Sequence, residues 1–400
     1  MRMRQNILLV LVVMVFLMGP IASRVFVHFD DAATEITKAE FEGRDYTKRP
    51  SLSWKTVSDG SFQKQANQWI ADRVPNRNSV LLANAGLQRS SIEIANAVCN
   101  YPAYPTFYGS SYAAVPDAGA VYTIPHGKSR YDDATLDRCG AWMTSIVEAA
   151  PNATWGFALA EHNAIAEANP ASPLLSNPVT WDHIAGGLRE RLPESVAVFD
   201  MSHPDLESYQ RAFFETDHHW QITGALEAYY DVIEMAGKEP IEFGEPVQAI
   251  PEPFYGSSDR VGLYPDASDT LYDVPFERSE LTVYINGASR GAAGLGGIGA
   301  RDTYVKGPFK YRDLYGSWYH GNYGLTEITN KELPEEAGTL LIVGDSYARC
   351  LDHVFAENFK HVYDVDPRYF EKDIAEYVAE IDPDVAVFII GVNTLTEVTK

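Results

Sequence analysis

Val385-Ala386-Val387-Phe388-Ile389-Ile390 is an unbroken apolar run, rich in β-branched residues and without polar alternation. A strand with both faces buried reads this way, and such strands belong to parallel sheets covered by helices on either side. The surrounding chain supports the assignment. Thr339 to Val343 is a second apolar strand and Val362-Tyr363 a third, short one. Between them the period changes. Leu351, Val354, Phe355 and Phe359 share one side of a helix predicted over 348–359, and Ile374, Val378 and Ile381 one face of another over 370–381. The order β-α-β-α-β predicts half of a doubly wound sheet, in an α/β protein.

The same rhythm runs through residues 120–236. Strands are predicted at 121–124, 155–159 and 196–199, and helices at 132–150, 183–192 and 223–236, the last with Thr223 as its N-cap. Residues 240–335 interrupt it with many Pro, Gly, Tyr and Asp residues and read as a partly β insertion. Gly294-Leu295-Gly296-Gly297-Ile298-Gly299 in that insertion matches a dinucleotide-binding spacing, but no amphipathic helix follows, and a loop accounts for it better. Nearer the start, helices are predicted from Ser61 (Phe62, Ala66, Trp69, Ile70) and over 80–97, with a Tyr/Pro/Gly-rich loop over 100–118.

Ser346, in Val343-Gly344-Asp345-Ser346-Tyr347, follows an apolar strand and precedes a predicted helix. That is the sheet edge where ligands of parallel sheets bind, and the helix start offers free N–H groups to an oxyanion. A serine there is either a nucleophile or an ordinary helix cap. Thr216-Asp217-His218-His219-Trp220 supplies what a nucleophilic serine needs. In an extended segment Asp217 and His219 point the same way, so carboxylate and imidazole lie side by side, an orienter and a base. His218 then faces the other way, so a metal shared by the two histidines is not expected. Asn393, just after the 385–390 strand, brings a carboxamide donor to the same sheet edge, next to the Ser346 backbone N–H, or simply forms a turn.

Thr216-Asp217-His218-His219-Trp220 with Ile222-Thr223-Gly224-Ala225 resembles the signature of the DHHW family, relatives of the alginate O-acetyltransferases within the SGNH hydrolase superfamily. Val343–Tyr347 resembles the family's nucleophile block, Asp366-x-Arg368-Tyr369 a stretch after it, and Pro75-x-Arg77 an N-terminal feature. Asp382-Pro383-Asp384 and Gly391-x-Asn393 resemble the asparagine block of the wider superfamily. The Asp-His pair precedes the serine, which is the circularly permuted order. The resemblance implies a flavodoxin-like SGNH three-layer sandwich with a parallel sheet. Its first part spans 61–239 and its C-terminal part 336–400, with the insertion at 240–335 between them. It implies Ser346 as nucleophile, His219 as base, Asp217 as orienter and Asn393 as an oxyanion donor. No cofactor and no metal is implied.

The implied activity is that of a serine-dependent O-acetyltransferase or acetylesterase acting on a cell-surface or extracellular polysaccharide through an acyl-enzyme. A membrane-bound O-acyltransferase is the implied source of acetyl groups. An idle-site polysaccharide-binding or surface-assembly protein of the same fold is the alternative. A third reading is a metal-dependent phosphoesterase using Asp217, His218 and His219. Trp318, Tyr319 and Tyr323 either stack on sugar rings or pack the insertion.

Composition narrows the partners. The 400-residue chain has a net charge of −23, which excludes a nucleic-acid partner. The charge favours a neutral or weakly charged polymer, unless a local basic cleft overrides the global field. Arg2 and Arg4 precede an uncharged, apolar run from Gln5 to Ser23. Residues 1–24 therefore read as a signal anchor or signal peptide, followed by a polar linker over 25–60 and an exported, extracytoplasmic body. Cys99 and Cys139 either form a disulfide or are small buried hydrophobes, as is Cys350.

Overall fold

The computed structural model describes residues 38–39, 41, 44–74, 76–99, 104–105, 112–115, 120–160, 168–263, 267–290, 313–319 and 321–399. The expected anchor over 1–24 and the glycine-rich Gly294–Gly299 lie outside them. Among the described residues no helix is long and apolar enough to cross a membrane.

The chain divides into two compact units, residues 1–99 and 100–400. In the first, Ser61–Ala71 and Arg77–Cys99 are helices, as their spacing predicts. Part of the expected linker has structure of its own. Ser53 caps the helix Trp54–Ser58 through reciprocal bonds with Thr56, and Arg44 forks onto the buried Asp72 at 2.6 and 3.0 Å. These helices group with the first unit.

The second unit is built on an eight-stranded sheet. Numbered along the chain, its strands are β1 (Thr154–Ala160), β2 (Val196–Val198), β3 (Leu281–Ile285), β4 (Ala288–Ser289), β5 (Leu325–Asn330), β6 (Thr339–Gly344), β7 (His361–Val365) and β8 (Val385–Gly391). Their spatial order is β4-β3-β5-β7-β6-β8-β1-β2. From β7 to β2 every pairing is parallel; β5, β3 and β4 extend the sheet antiparallel. All seven residues of β8 are buried, as its composition predicts. Residues of the presumed insertion thus become sheet strands. β5 alternates half-buried and buried positions, the pattern of a strand with one face on the core. The expected all-parallel sheet is mixed for this reason. The 100–118 region and the 121–124 strand also differ from expectation: Tyr104–Pro105, Tyr112–Val115 and Ala120–Thr123 form a separate three-stranded antiparallel sheet.

Helices cover both faces. Successive residues of β1 point opposite ways. Trp155 stacks on Phe388, which also meets Trp142 of the helix Asp133–Val147. A side chain at Gly156 would instead strike Phe199 and Met235, the latter in the helix Ile222–Met235. Those two helices therefore sandwich the sheet. Thr223 does not cap the second one. Gln221 holds the cap position, and the Thr223 hydroxyl donates to the Arg211 carbonyl at 2.8 Å. Cys139 and Cys350 are buried free thiols, Cys139 within 3.4 Å of the Leu395 carbonyl.

Candidate active site

The serine is presented by a turn that Asp345 ties down. β6 ends at Gly344, where a Cβ would lie 2.6 Å from that of Ala348, so only glycine lets the chain fold back there. The buried Asp345 carboxylate accepts from the Tyr347 N–H at 3.0 Å through Oδ1. Its Oδ2 accepts from the Gly391 N–H at 2.8 Å and the Thr394 hydroxyl at 2.6 Å. Both ends of the turn are thereby pinned to the end of β8. The helix predicted over 348–359 is broken into a 3-10 turn, Ala348–Cys350, and one turn of α-helix, Asp352–Phe355. Every residue from Ala348 to Phe355 is buried, so the segment has no solvent face. Arg349 turns inward onto Asp364 and Asp366.

The base is held differently from expectation. Thr216–His219 is a chain of bends, closed by a bridge between Phe213 and Trp220, rather than an extended strand. Asp217 Oδ1 accepts from both the His219 N–H at 3.0 Å and its Nδ1 at 2.6 Å, while Oδ2 accepts from the Ser257 N–H at 2.7 Å. With Nδ1 donating, the His219 Nε2 is the acceptor, and it lies 2.8 Å from the Ser346 Oγ. The ring of Tyr315 stacks on His219 at 4.0 Å and 10°. The Trp220 indole N–H donates to the Tyr347 carbonyl at 3.0 Å, joining the base segment to the serine turn. Asp217, His219 and Ser346 are thus brought together as the sequence predicts. Because the segment is bent, His218 does not face away. Its ring lies 3.9 Å from that of His219, tilted by 36°.

Two further groups, neither read from the sequence, fix this segment. Gly256 packs so closely that a Cβ would lie 2.2 Å from the Thr216 carbonyl oxygen. Asp269 accepts from the Glu215 and Thr216 N–H groups at 3.1 and 2.8 Å and from the Thr216 hydroxyl at 2.6 Å. Burial pushes the Asp269 carboxyl up to about 6, against the pull of those donors. A carboxyl whose folded pKa exceeds its unfolded value binds protons preferentially in the folded state. Its contribution to stability is therefore full below about pH 4 and lost as pH rises through 6. Relative to Asp269→Asn, the wild type is expected to gain about 2 kcal/mol as pH falls from 7 to 4. Urea melts at both pH values measure this, and equal pH slopes in the two proteins would refute it.

Electrostatically the pair suits base catalysis. Burial works against the Asp217 carboxylate, but the two imidazoles and the donated hydrogen bonds hold it well below the usual range. Burial, then the neighbouring His219, pushes His218 down to about 3, so this ring is neutral at pH 7. Asp217, His218 and His219 offer ligand atoms within 4.8 Å of one another. His219 uses both nitrogens on Asp217 and Ser346, and the His218 Nδ1 lies 2.8 Å from the Ser257 Oγ. A metal there would have to break the chain of hydrogen bonds that reaches Ser346, so this donor set fits that chain better than a metal.

A cavity of about 280 Å³ opens over the three residues, lined also by Phe254, Tyr255, Arg260, Tyr315, Tyr319, Asn322 and Arg368. The remaining expected site residues are placed less favourably. Asn393 is not among its lining residues. β8 passes directly into the helix Val392–Val398, which turns the Asn393 side chain towards Arg130, whose guanidinium donates to Oδ1 at 3.3 Å. The Ser346 N–H remains at the site. Trp318 is fully buried and donates to Asp273 at 3.0 Å, so it packs the core instead of meeting a sugar. Tyr319 is buried in the cavity wall with its hydroxyl bonded to the Tyr272 carbonyl. Tyr323 packs against the core outside the lining, and its carbonyl accepts from Arg349.

No family model matches this chain, and no curated protein does. Solved structures do resemble it. A DHHW family protein from Eubacterium siraeum superposes with a TM-score of 0.56 at 14% identity, over 74% of this chain and 95% of that one. Bacillus cereus PatB1 gives 0.51 at 19% identity, over 69% and 95%. PatB1 with a sulfonyl adduct gives 0.52 at 18%, over 70% and 94%. At these identities the likeness is one of fold: this chain is built on the fold of a DHHW family protein.

Proposed function

We propose that this protein is an exported, serine-dependent acyltransferase of the SGNH type that moves acetyl groups onto hydroxyls of a surface polysaccharide through an acyl-enzyme. The observation that carries this reading is the unbroken chain from Asp217 through His219 to the Ser346 Oγ, with links of 2.6 and 2.8 Å, opening on a cavity. Serine is a weak nucleophile until a positioned base takes its proton, and the base needs an orienter that stabilises its cationic form.

The steps follow from those contacts. The Ser346 Oγ attacks the carbonyl carbon of an acetyl ester while its proton passes to the His219 Nε2. Asp217 stabilises the imidazolium, and the Ser346 N–H donates to the oxyanion. Collapse breaks the ester bond, and the leaving oxygen takes the proton from His219. A sugar hydroxyl then gives its proton to Nε2 and attacks the acyl-enzyme, releasing Ser346 with its proton restored. Water in place of the sugar makes the protein an esterase. The half-buried Tyr255 in the cavity lining offers apolar ring surface for a sugar acceptor. An apolar N-terminal segment behind Arg2 and Arg4 suits delivery across a membrane, to a membrane-bound donor of acetyl groups. The sulfonyl adduct reported for PatB1, which shares the fold, is the kind of group an activated hydroxyl takes up.

Fluorophosphonate labelling of the protein, read by intact mass, tests the reading. One adduct is expected on wild type, none on Ser346→Ala, and slow labelling on His219→Ala. A folded wild type that takes no label would leave only the idle-site, polysaccharide-binding alternative.

A further inference from the structure

Three guanidinium groups line the cavity above Ser346, those of Arg260, Arg349 and Arg368. Two of them are neutralised. Arg349 is buried against Asp364 and Asp366, and Arg368 forks onto Asp366 at 3.0 and 2.7 Å. Arg260 is not. It has no ion-pair partner among the described residues, and its Nε is buried without a hydrogen bond. The described carboxylates in the lining are Asp217 and Asp313. Asp217 is engaged by His219 and Ser257, while Asp313 caps the helix Leu314–Trp318 by accepting from the Gly316 N–H.

A bare guanidinium beside a serine nucleophile is unusual in a chain of net charge −23. Carboxylates outnumber cations overall, yet none among the described residues pairs with this one. A buried guanidinium N–H left without an acceptor costs free energy, and an incoming acceptor removes that cost. The neighbours suit an anion as well. Arg260 and Arg368 both lie close enough to His218 to disfavour its protonation, so the ring beside Arg260 is neutral and brings no opposing charge. Arg260 is thus a local positive charge set within the global negative field.

We propose that Arg260 reads an acidic group, a carboxylate or a phosphate, on the acceptor polymer and holds it beside the hydroxyl to be acylated, with Arg368 and His218 at its side. This rests on the acyltransferase reading for its purpose, but the anion subsite can be tested without catalysis. It also replaces the neutral polymer that net charge alone suggests. A guanidinium presents two parallel donors to either anion, which gives the acceptor a fixed register over Ser346.

Calorimetric titration of the Ser346→Ala protein tests it, because that variant binds without turnover. The probes are a neutral gluco-tetrasaccharide, an oligouronate of the same length, and a short sugar-phosphate oligomer. The oligouronate or the phosphate oligomer is expected to bind at least about tenfold more tightly than the neutral sugar, a ratio suited to one charge-assisted contact. Whichever wins identifies the acid. Adding Arg260→Gln is expected to reduce the ratio to near one, and Arg260→Lys to restore part of it. Equal binding of acidic and neutral sugars, binding of none, or a preference that survives Arg260→Gln would each overturn the proposal. Absence of a Ser346 adduct with an Arg260-dependent preference intact would sink the acyltransferase reading alone.

Discussion

Replacing His219 with alanine is expected to lower kcat for transfer from an acetyl ester by roughly 10⁴-fold or more, with little change in KM. The reason lies in the contacts. The His219 Nε2 is the one basic atom within hydrogen-bond reach of the Ser346 Oγ among the described residues, and without it the proton of the attacking hydroxyl has no acceptor. Neutral His218 does not replace it, since its Nδ1 is committed to Ser257. Asp217→Asn is expected to cost about as much by a different route. An amide nitrogen facing Nδ1 would turn the ring to the wrong tautomer, placing a proton on Nε2 where the serine needs a lone pair. Steady-state rates with an acetyl ester, measured on variants whose circular dichroism matches wild type, decide the matter. A His219→Ala protein within tenfold of wild type would remove His219 from the mechanism.

The second large effect is on stability. Arg349→Met is expected to destabilise the protein by about 3–5 kcal/mol, the usual cost of leaving buried carboxylates without their cation. Arg349 bonds Asp364, donates to the Tyr323 carbonyl at 2.9 Å, and lies 3.5 Å from Asp366 and 3.7 Å from Asp352. All four ionic side chains are buried. Burial, reinforced by the nearby Asp364 charge, raises the Asp352 carboxyl well above the usual range, and burial raises Asp364 as well. Asp364 faces Arg349, and Asp366 lies between Arg349 and Arg368. Removing Arg349 uncovers Asp364. Adding Asp364→Leu to Arg349→Met is expected to recover most of the loss, because an apolar pair of similar volume replaces the ion pair. Denaturant midpoints of the three variants measure this. An Arg349→Met protein within 1 kcal/mol of wild type would show that the network contributes little to stability.

These two networks mark what the sequence discloses and what it conceals. The parallel centre of the sheet was legible because β8 and β6 carry a composition that only double burial explains. The triad was legible from residue type and spacing, although for a reason that needed correction. Asp217 and His219 meet through a bend in which one carboxylate oxygen accepts twice, not through strand alternation. Other features depend on contacts between distant residues and leave no local trace. β3 and β5 look like irregular chain until β3 pairs with β5 and β5 with β7. Arg349 lies where an amphipathic helix was expected, and only Asp364 and Asp366 explain its burial. Asn393 follows the right strand, but an immediate helix start turns it to Arg130. Gly256 and Asp269 act on Thr216 from a loop whose sequence gives no sign of it. Trp318, which sequence leaves open between stacking on a sugar and packing the insertion, proves to be core.

The position of β8 has a consequence for how the chain is made. It sits between β6 and β1, paired with both along its length, yet it is synthesised after all seven of its sheet partners. From the time residue 160 emerges until residue 385 does, β1 has an open edge where its central neighbour belongs. The two halves of the sheet wait apart for one late wedge. Long-range parallel pairing of this kind is slow to form and exposes sticky edges meanwhile. Nor is the serine turn complete until Gly391 and Thr394 arrive to bind Asp345. In a growing chain the turn that presents Ser346 is therefore among the last parts of the sheet edge to be fixed.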